Sequence, residues 1–341
     1  MSPVVADQSG RLPPPVRPGC PKQMVYGPCG GVRVDGRCEM AERPCVFGDL
    51  AEAVPVGRVE GGPPTAVPTV LTDLSTPPAD AATLRSTAAR LAPSCDAVLL
   101  GDHQDRADFP PSMLARLVAD AGAVPWVTMA CRDRNRVVLE QELHGLAHDA
   151  VATLLAVTGD GRAFDVRPEV SQVFDLDSTR LTVLAAAVGV PVAVTETPAA
   201  PPVGVRPGRL VQKERAGARG AVLNHVSGAA EVDRFVRAAR ARGLTIPVIA
   251  SVPVYTDERS AAVLEALPGL ALDHSAVARV LAAADPVAAG IASAVALAAE
   301  LMAVEGVQGV NLSGMASARS VAYAAEIQAE IGHRIRAEVR R

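Results

Sequence analysis

The chain has 341 residues, 49% hydrophobic and 21% charged, enough to bury one large core and carry a small extra module. A net charge of −4 and a pI near 5.9 supply no basic field for nucleic acid or an anionic membrane surface. No apolar run reaches the roughly 18 residues that span a bilayer. Nor does the opening Met1-Ser2-Pro3-Val4-Val5-Ala6-Asp7 have the basic start and apolar stretch of a signal peptide, so a cytoplasmic protein with neither membrane nor nucleic-acid partners is expected.

In chain order, residues 1–19 are proline-rich and weakly apolar and read as a disordered tail. Residues 20–50 hold Cys20, Cys29, Cys38 and Cys45, spaced by eight, eight and six residues among glycines. Thiols stay reduced in the cytosol, and so short a segment cannot bury a core unaided, so these cysteines are expected to bind a metal, either Zn²⁺ or an iron-sulfur cluster. Residues 51–64 read as a linker, and 65–335 as one domain.

Within that domain apolar runs predict strands at 66–71, 96–100, 124–129, 153–158, 190–195, 218–223, 246–252 and 307–312. Between them helices are expected at 79–92, 111–121, 136–148, 177–188, 208–216, 230–242, a long region 275–304, and 316–331. Eight alternating β and α units with continuously apolar strands predict an α/β fold, a closed (β/α)8 TIM barrel preceded by the cysteine module. A doubly wound open sheet is less favoured, because no G-x-G-x-x-G turn follows the first strand.

In a barrel the loops after the strands open onto one face. The residues there are Asp73, Asp102, Cys131 with Arg132, Asp160, Glu196, Asn224 with His225, Tyr255 and Ser313. Converging acids and an amide suit proton transfer and stabilisation of a cationic substrate, since one desolvated acid can hold a proton while another stays ionised. Asp73 could equally cap the next helix, and the run Arg132-Asp133-Arg134-Asn135-Arg136 could either clamp an anion or pair locally. His144 and His148 have metal-binding spacing but no third ligand, and read as a solvated helix face.

The segment Cys20-Pro21-Lys22-Gln23-Met24, with Gly27-Pro28-Cys29-Gly30-Gly31, Gly36-Arg37-Cys38-Glu39 and Cys45, resembles the cysteine-rich accessory domain of methylenetetrahydrofolate reductases, here placed before the barrel. The barrel is similar to that family in Asp73 with Pro77-Pro78, in the run from Cys131 to Arg136, in Leu155-Ala156-Val157-Thr158-Gly159-Asp160, in Val173-Phe174-Asp175-Leu176-Asp177, and in Lys213 before Ala216-Gly217-Ala218. The resemblance implies reduction of 5,10-methylenetetrahydrofolate to 5-methyltetrahydrofolate by hydride transfer from a flavin, FAD, with NAD(P)H as electron donor, in one-carbon metabolism supplying methionine synthesis. It assigns the acid at the departing nitrogen to Asp73, stabilisation of the iminium to Asp160 and pterin contacts to Asp160 and Asn224. It gives Asp102, Thr128, Arg132 and Lys213 to the cofactor. Thr128 stands where the family has His, Asp73 where it has Glu, and Asn224 where it has Gln. Homo-oligomers are expected. Two further readings are a reductase taking hydride directly from NAD(P)H, and a folate-binding subunit whose cysteine module docks on a partner electron-transfer subunit.

Overall fold

A computed structural model describes residues 16–59, 62–102, 107–149, 152–161, 169–267 and 271–339. Eight parallel strands form a closed barrel in the order β1 to β8, with β1 pairing β8. They are β1 Val70–Leu74, β2 Ala97–Leu100, β3 Pro125–Ala130, β4 Thr153–Val157, β5 Val192–Glu196, β6 Gly220–Leu223, β7 Val248–Tyr255 and β8 Val307–Ala316. Helices cover the outside, and the (β/α)8 expectation holds. Most of residues 1–19 lies outside the described residues.

The first strand starts four residues later than expected. Pro68 has no N–H to give a ladder, so pairing begins after it and runs on through Asp73. Asp73 is thus inside the strand. The long region 275–304 is two helices, His274–Leu281 and Pro286–Met302. Pro286 cannot continue a helix from the N-terminal side, and the Asp285 side chain caps the new start by accepting from the Ala288 N–H. The expected sequence elements omit the helix Glu258–Glu265, although its capping box between Asp257 and Ser260 is a legible start signal. Among the described residues no helix is long and apolar enough to cross a membrane.

Side chains on the strands alternate between two cores. Those facing the helices join the larger core, which takes in Cys95 and Cys131. Those facing the barrel axis form a compact plug of Leu71, Leu99, Trp126, Leu155, Ala193, Val222 and Ile249. Trp126, the chain's only tryptophan, is its bulkiest member and 1% exposed. The barrel is therefore solid below its mouth.

The cysteine segment has little regular structure, with one isolated bridge between Arg37 and Pro44. It lies on the barrel mouth. Val25 and Tyr26 are buried in a small apolar cluster with Val56 and Ala216. Residues beyond the cysteines continue along the helix Arg206–Arg215, where the Val59 N–H donates to the Arg215 carbonyl (2.8 Å) and the Val56 N–H to Gln212 Oε1 (2.7 Å).

Candidate functional site

Two residues beyond the apolar plug, the inward positions of several strands turn polar. Thr128 follows Trp126, Thr195 follows Ala193 and Asn224 follows Val222, while Val157 follows Leu155. These four line one cavity of about 240 Å³ at the carboxyl ends of the strands. Asp102, Arg132, Asp160, Glu196 and Lys213 also line it, as do Lys22, Met24, Cys29 and Gly30 from the cysteine module. The structure thus brings Asp102, Thr128, Arg132, Asp160, Lys213 and Asn224 together in one place.

Most of the charge here is already committed. Arg134 holds Asp102 at 2.5 Å, and the Ala130 N–H donates to the same carboxylate. Arg132, 1% exposed, pairs with its neighbour Asp133. The arginines of this run are thus paired, Arg132 and Arg136 with acids beside them in sequence and Arg134 with Asp102 at the end of β2.

On the β5 side Glu196 is buried between Lys213 (2.9 Å) and Arg206 (3.3 Å), with Arg209 close by. Burial alone would raise the Glu196 pKa, but these cations outweigh it and hold the carboxyl below its ordinary value. Three cations share that carboxylate, so burial pushes Lys213 and Arg209 down, only partly offset by Glu196. Lys213 also donates to the Thr195 carbonyl, and Arg206 to the carbonyls of Ala200, Pro201 and Pro28.

Asp73 is set apart. It has the inward register of β1 but is not one of the cavity walls, because β8 holds it. Asn311 Nδ2 donates to its Oδ1 at 2.9 Å and the Gly314 N–H to its Oδ2 at 3.0 Å. Burial raises its pKa against the pull of these bonds and of Ser313. It does not cap the following helix; Asp80 does. Of the other strand-end residues, Cys131 belongs to the outer core and Tyr255 packs with Leu264 and Leu272. His225 is buried, with its imidazole pushed down to about 4, and is neutral. His144 and His148 are exposed on their helix.

The cysteine module grips the loop after β4. Lys22 Nζ donates to Glu39 Oε1 (2.5 Å) and to the Gly159 carbonyl (2.5 Å), while the Gly161 N–H donates to Glu39 Oε2 (3.0 Å). The Val25 N–H donates to Asp177 Oδ2 and Arg209 to the Tyr26 carbonyl. Two glycines make the approach close enough. Gly27 sits at φ +135° with Arg209 Cδ 2.6 Å from where a Cβ would stand, and at Gly31 a Cβ would collide with the Glu39 carboxylate. Sequence reasoning missed Lys22, Glu39, Arg206, Arg209 and Asn311. Lys22 and Glu39 stand within the quoted cysteine-module residues, but only the fold shows that they face the barrel.

Cys20, Cys29, Cys38 and Cys45 are all reduced and line one small cavity of about 20 Å³. Four thiols suit Zn²⁺ or an iron-sulfur cluster in their chemistry. Among the described residues no group of three or more Cys, His, Asp or Glu side chains stands in a metal-holding arrangement, so an ion would have to draw the thiols together. The residues present do not fit a flavin dinucleotide: the module covers the β4 to β6 side of the mouth, and Lys213 is spent on Glu196 instead of facing a diphosphate.

Residues 10–58 match the family described as "Methylene-tetrahydrofolate reductase C terminal". No curated protein matches the chain. Among solved structures, a protein from Clostridium thermocellum described as uncharacterized and binding two copies of 5-methyl-5,6,7,8-tetrahydrofolic acid is 14% identical, with a TM-score of 0.55. That match covers 83% of this chain and 97% of the other. A tryptophan synthase structure from Mycobacterium tuberculosis is 15% identical over 80% of this chain and 93% of that one, with a TM-score of 0.47.

Proposed function

We propose that this chain, whose residues 10–58 belong to the methylene-tetrahydrofolate reductase C-terminal family, binds a reduced folate in the barrel mouth and reduces 5,10-methylenetetrahydrofolate to 5-methyltetrahydrofolate. The observation that carries this reading is the convergence of Thr128, Asp160 and Asn224, from three strands, on one cavity beneath that module. The pterin head is of a size for such a space, and the folate tail extends over the open rim. The folate named for the Clostridium thermocellum protein supports the ligand class.

In this reading Asp160 and Asn224 hydrogen-bond the pterin. Asp73, whose raised pKa favours its acid form, protonates N10 as the bond from N10 to the bridging carbon breaks, leaving an N5 iminium. The Asp160 carboxylate stabilises that cation. A reduced nicotinamide delivers hydride to the bridging carbon, which becomes the N5 methyl group, and the nicotinamide is oxidised. No step passes through a flavin.

One observation favours a second reading, a folate-binding protein without turnover: Asp73 is tied to Asn311 and Gly314 instead of lining the cavity. Protein purified without oxygen separates the two. A colourless sample that oxidises NADPH or NADH only when 5,10-methylenetetrahydrofolate is added supports the reductase. Stoichiometric binding of 5-methyltetrahydrofolate without turnover supports the second reading, and a tightly bound flavin in the visible spectrum would reject the flavin-free reductase.

The thiol cavity is the proposed metal site, held by Cys20, Cys29, Cys38 and Cys45 as a structural centre. Replacing Cys29 by Ser should remove most of the bound metal and make residues 16–59 protease-sensitive. Elemental analysis showing unchanged metal content in Cys29→Ser would reject the four-cysteine site.

A further inference from the structure

We infer that Arg206 and Arg209 are the counter-charge of the four-cysteine centre: buried cations, held at its edge by the barrel, that balance the negative charge of a metal-loaded tetrathiolate. This rests on the metal reading of Cys20, Cys29, Cys38 and Cys45 above. Arg206, Arg209 and Lys213 are spaced by three and four residues, so they share one face of the helix Arg206–Arg215. That face is buried, at 0%, 1% and 6% exposure, where an apolar stripe is the usual occupant. Among the described residues, Glu196 is the one acid paired with these cations, through Lys213 and Arg206. Three positive charges therefore meet one negative charge, in a place where surplus charge is costly.

The neighbouring acids do not make up the difference, because Asp177 is paired with Arg180 and Glu39 with Lys22. Arg206 also donates to the carbonyls of Ala200, Pro201 and Pro28, and Arg209 to that of Tyr26, bonds that satisfy the donors and leave the charge. Two of these carbonyls belong to the cysteine module. Pro28 directly precedes Cys29, and Arg209 packs against Gly27, two residues before it. Arg206 acts electrostatically on Cys29 and Cys45, and Arg209 on Cys29. Burial and the adjacent arginines push Lys213 down, as expected where positive charge is in excess. A tetrathiolate site has the opposite surplus. Four thiolates around Zn²⁺, or around the dipositive core of an oxidised iron-sulfur cluster, keep two negative charges. The surplus on the helix and that of the centre are equal and opposite, whichever metal is bound. The barrel thus holds the outer-shell charge for a centre built by the module.

The test competes zinc-loaded, reduced full-length protein against a chelator of known affinity. Glu196→Gln raises the charge of the cluster by one, Arg209→Met and Lys213→Met each lower it by one, and the double variant Glu196→Gln/Lys213→Met leaves it as in the wild type. Zinc affinity should follow the charge. It should weaken about ten- to a hundredfold in Arg209→Met, the range for losing an outer-shell partner, and less in Lys213→Met. Glu196→Gln should hold zinc more tightly than the wild type, and the double variant should return to within a few-fold of it. A purely structural role predicts looser zinc in every variant, since each breaks the same network. If Glu196→Gln does not fold, Lys213→Met and the double variant decide, because they differ at Glu196 alone and the double variant must bind zinc more tightly. Trp126 emission like the wild type's reports an intact barrel. Folded Glu196→Gln variants that bind zinc no more tightly than their Glu196 counterparts would overturn the counter-charge role and leave the four-cysteine site in place. Wild-type protein that takes up no stoichiometric zinc would overturn both.

Discussion

Glu196→Gln should be among the most destabilising single substitutions in the barrel. The change keeps the shape and removes the carboxylate that Lys213 and Arg206 bond directly, in a cluster exposed by 2% or less at Glu196 and Arg206 and by 6% at Lys213. Leaving buried charge uncompensated costs about 3–5 kcal/mol. For a chain of this size that corresponds to a fall in thermal midpoint on the order of 10 °C. The pH dependence follows from the direction of the shift. Because the folded Glu196 carboxyl lies below its unfolded value near about 4.3, its contribution is complete above that value and is lost as pH falls through the folded pKa. The gap between wild type and variant should therefore narrow in acid. It should also narrow as pH rises toward the unfolded lysine value, because a Lys213 already pushed down sheds its proton more easily without Glu196. Adding Lys213→Met to the variant should restore part of the midpoint by removing one orphaned cation. Calorimetry showing Glu196→Gln within about 2 °C of wild type would remove the cluster from the account of how the mouth is held.

Asp73→Asn should lower turnover by a factor on the order of 10² to 10⁴, the range for losing a general acid, while 5-methyltetrahydrofolate binding stays within a few-fold. The reason is positional. Asp73 is absent from the cavity walls that include Asp160 and Asn224, so its loss leaves the pterin contacts in place. Stability should change by only about 1 kcal/mol, since an amide keeps one acceptor for Asn311 or Gly314 and gives up the other. Because burial raises the folded pKa of Asp73, the acid form persists to higher pH than in an ordinary carboxylic acid, and wild-type kcat/KM should fall as pH rises through that value. The same shift costs stability above the folded pKa and nothing below the unfolded one, so the variant should gain relative stability as pH rises. Equal turnover in the variant would exclude Asp73 as the proton donor.

The barrel itself was legible because it depends on signals local to each segment. Val124 to Met129 and Thr153 to Thr158 are apolar runs of strand length, separated by a helix-length stretch, and the strands β3 and β4 differ from those expected bounds by a single residue. Where local signals competed, the reading slipped. Pro68 displaced the start of β1, which moved Asp73 from a loop into a strand, and Asp285-Pro286 divided one expected helix into two.

Residue identity also put Asp102, Thr128, Asp160 and Asn224 at the carboxyl ends of their strands, and the closed sheet then gathered them around one cavity. The electrostatic state of the site was another matter. Lys213 reads in isolation as a cation available to an anionic cofactor, yet Glu196, on the preceding strand, takes its charge. Lys22 and Gly159 meet across 137 residues of sequence. No periodicity or spacing encodes that contact, because it depends on where a module without regular elements settles on the finished barrel.

The amino-acid sequence alone therefore determined the eight β/α units, the side of the barrel where polar groups collect and the grouping of the four thiols, all consequences of short-range patterning. Tertiary structure alone decided which charges are neutralised, how little room the mouth leaves and that Lys22 faces a barrel cavity, since burial and ion pairing are properties of groups brought together only by folding.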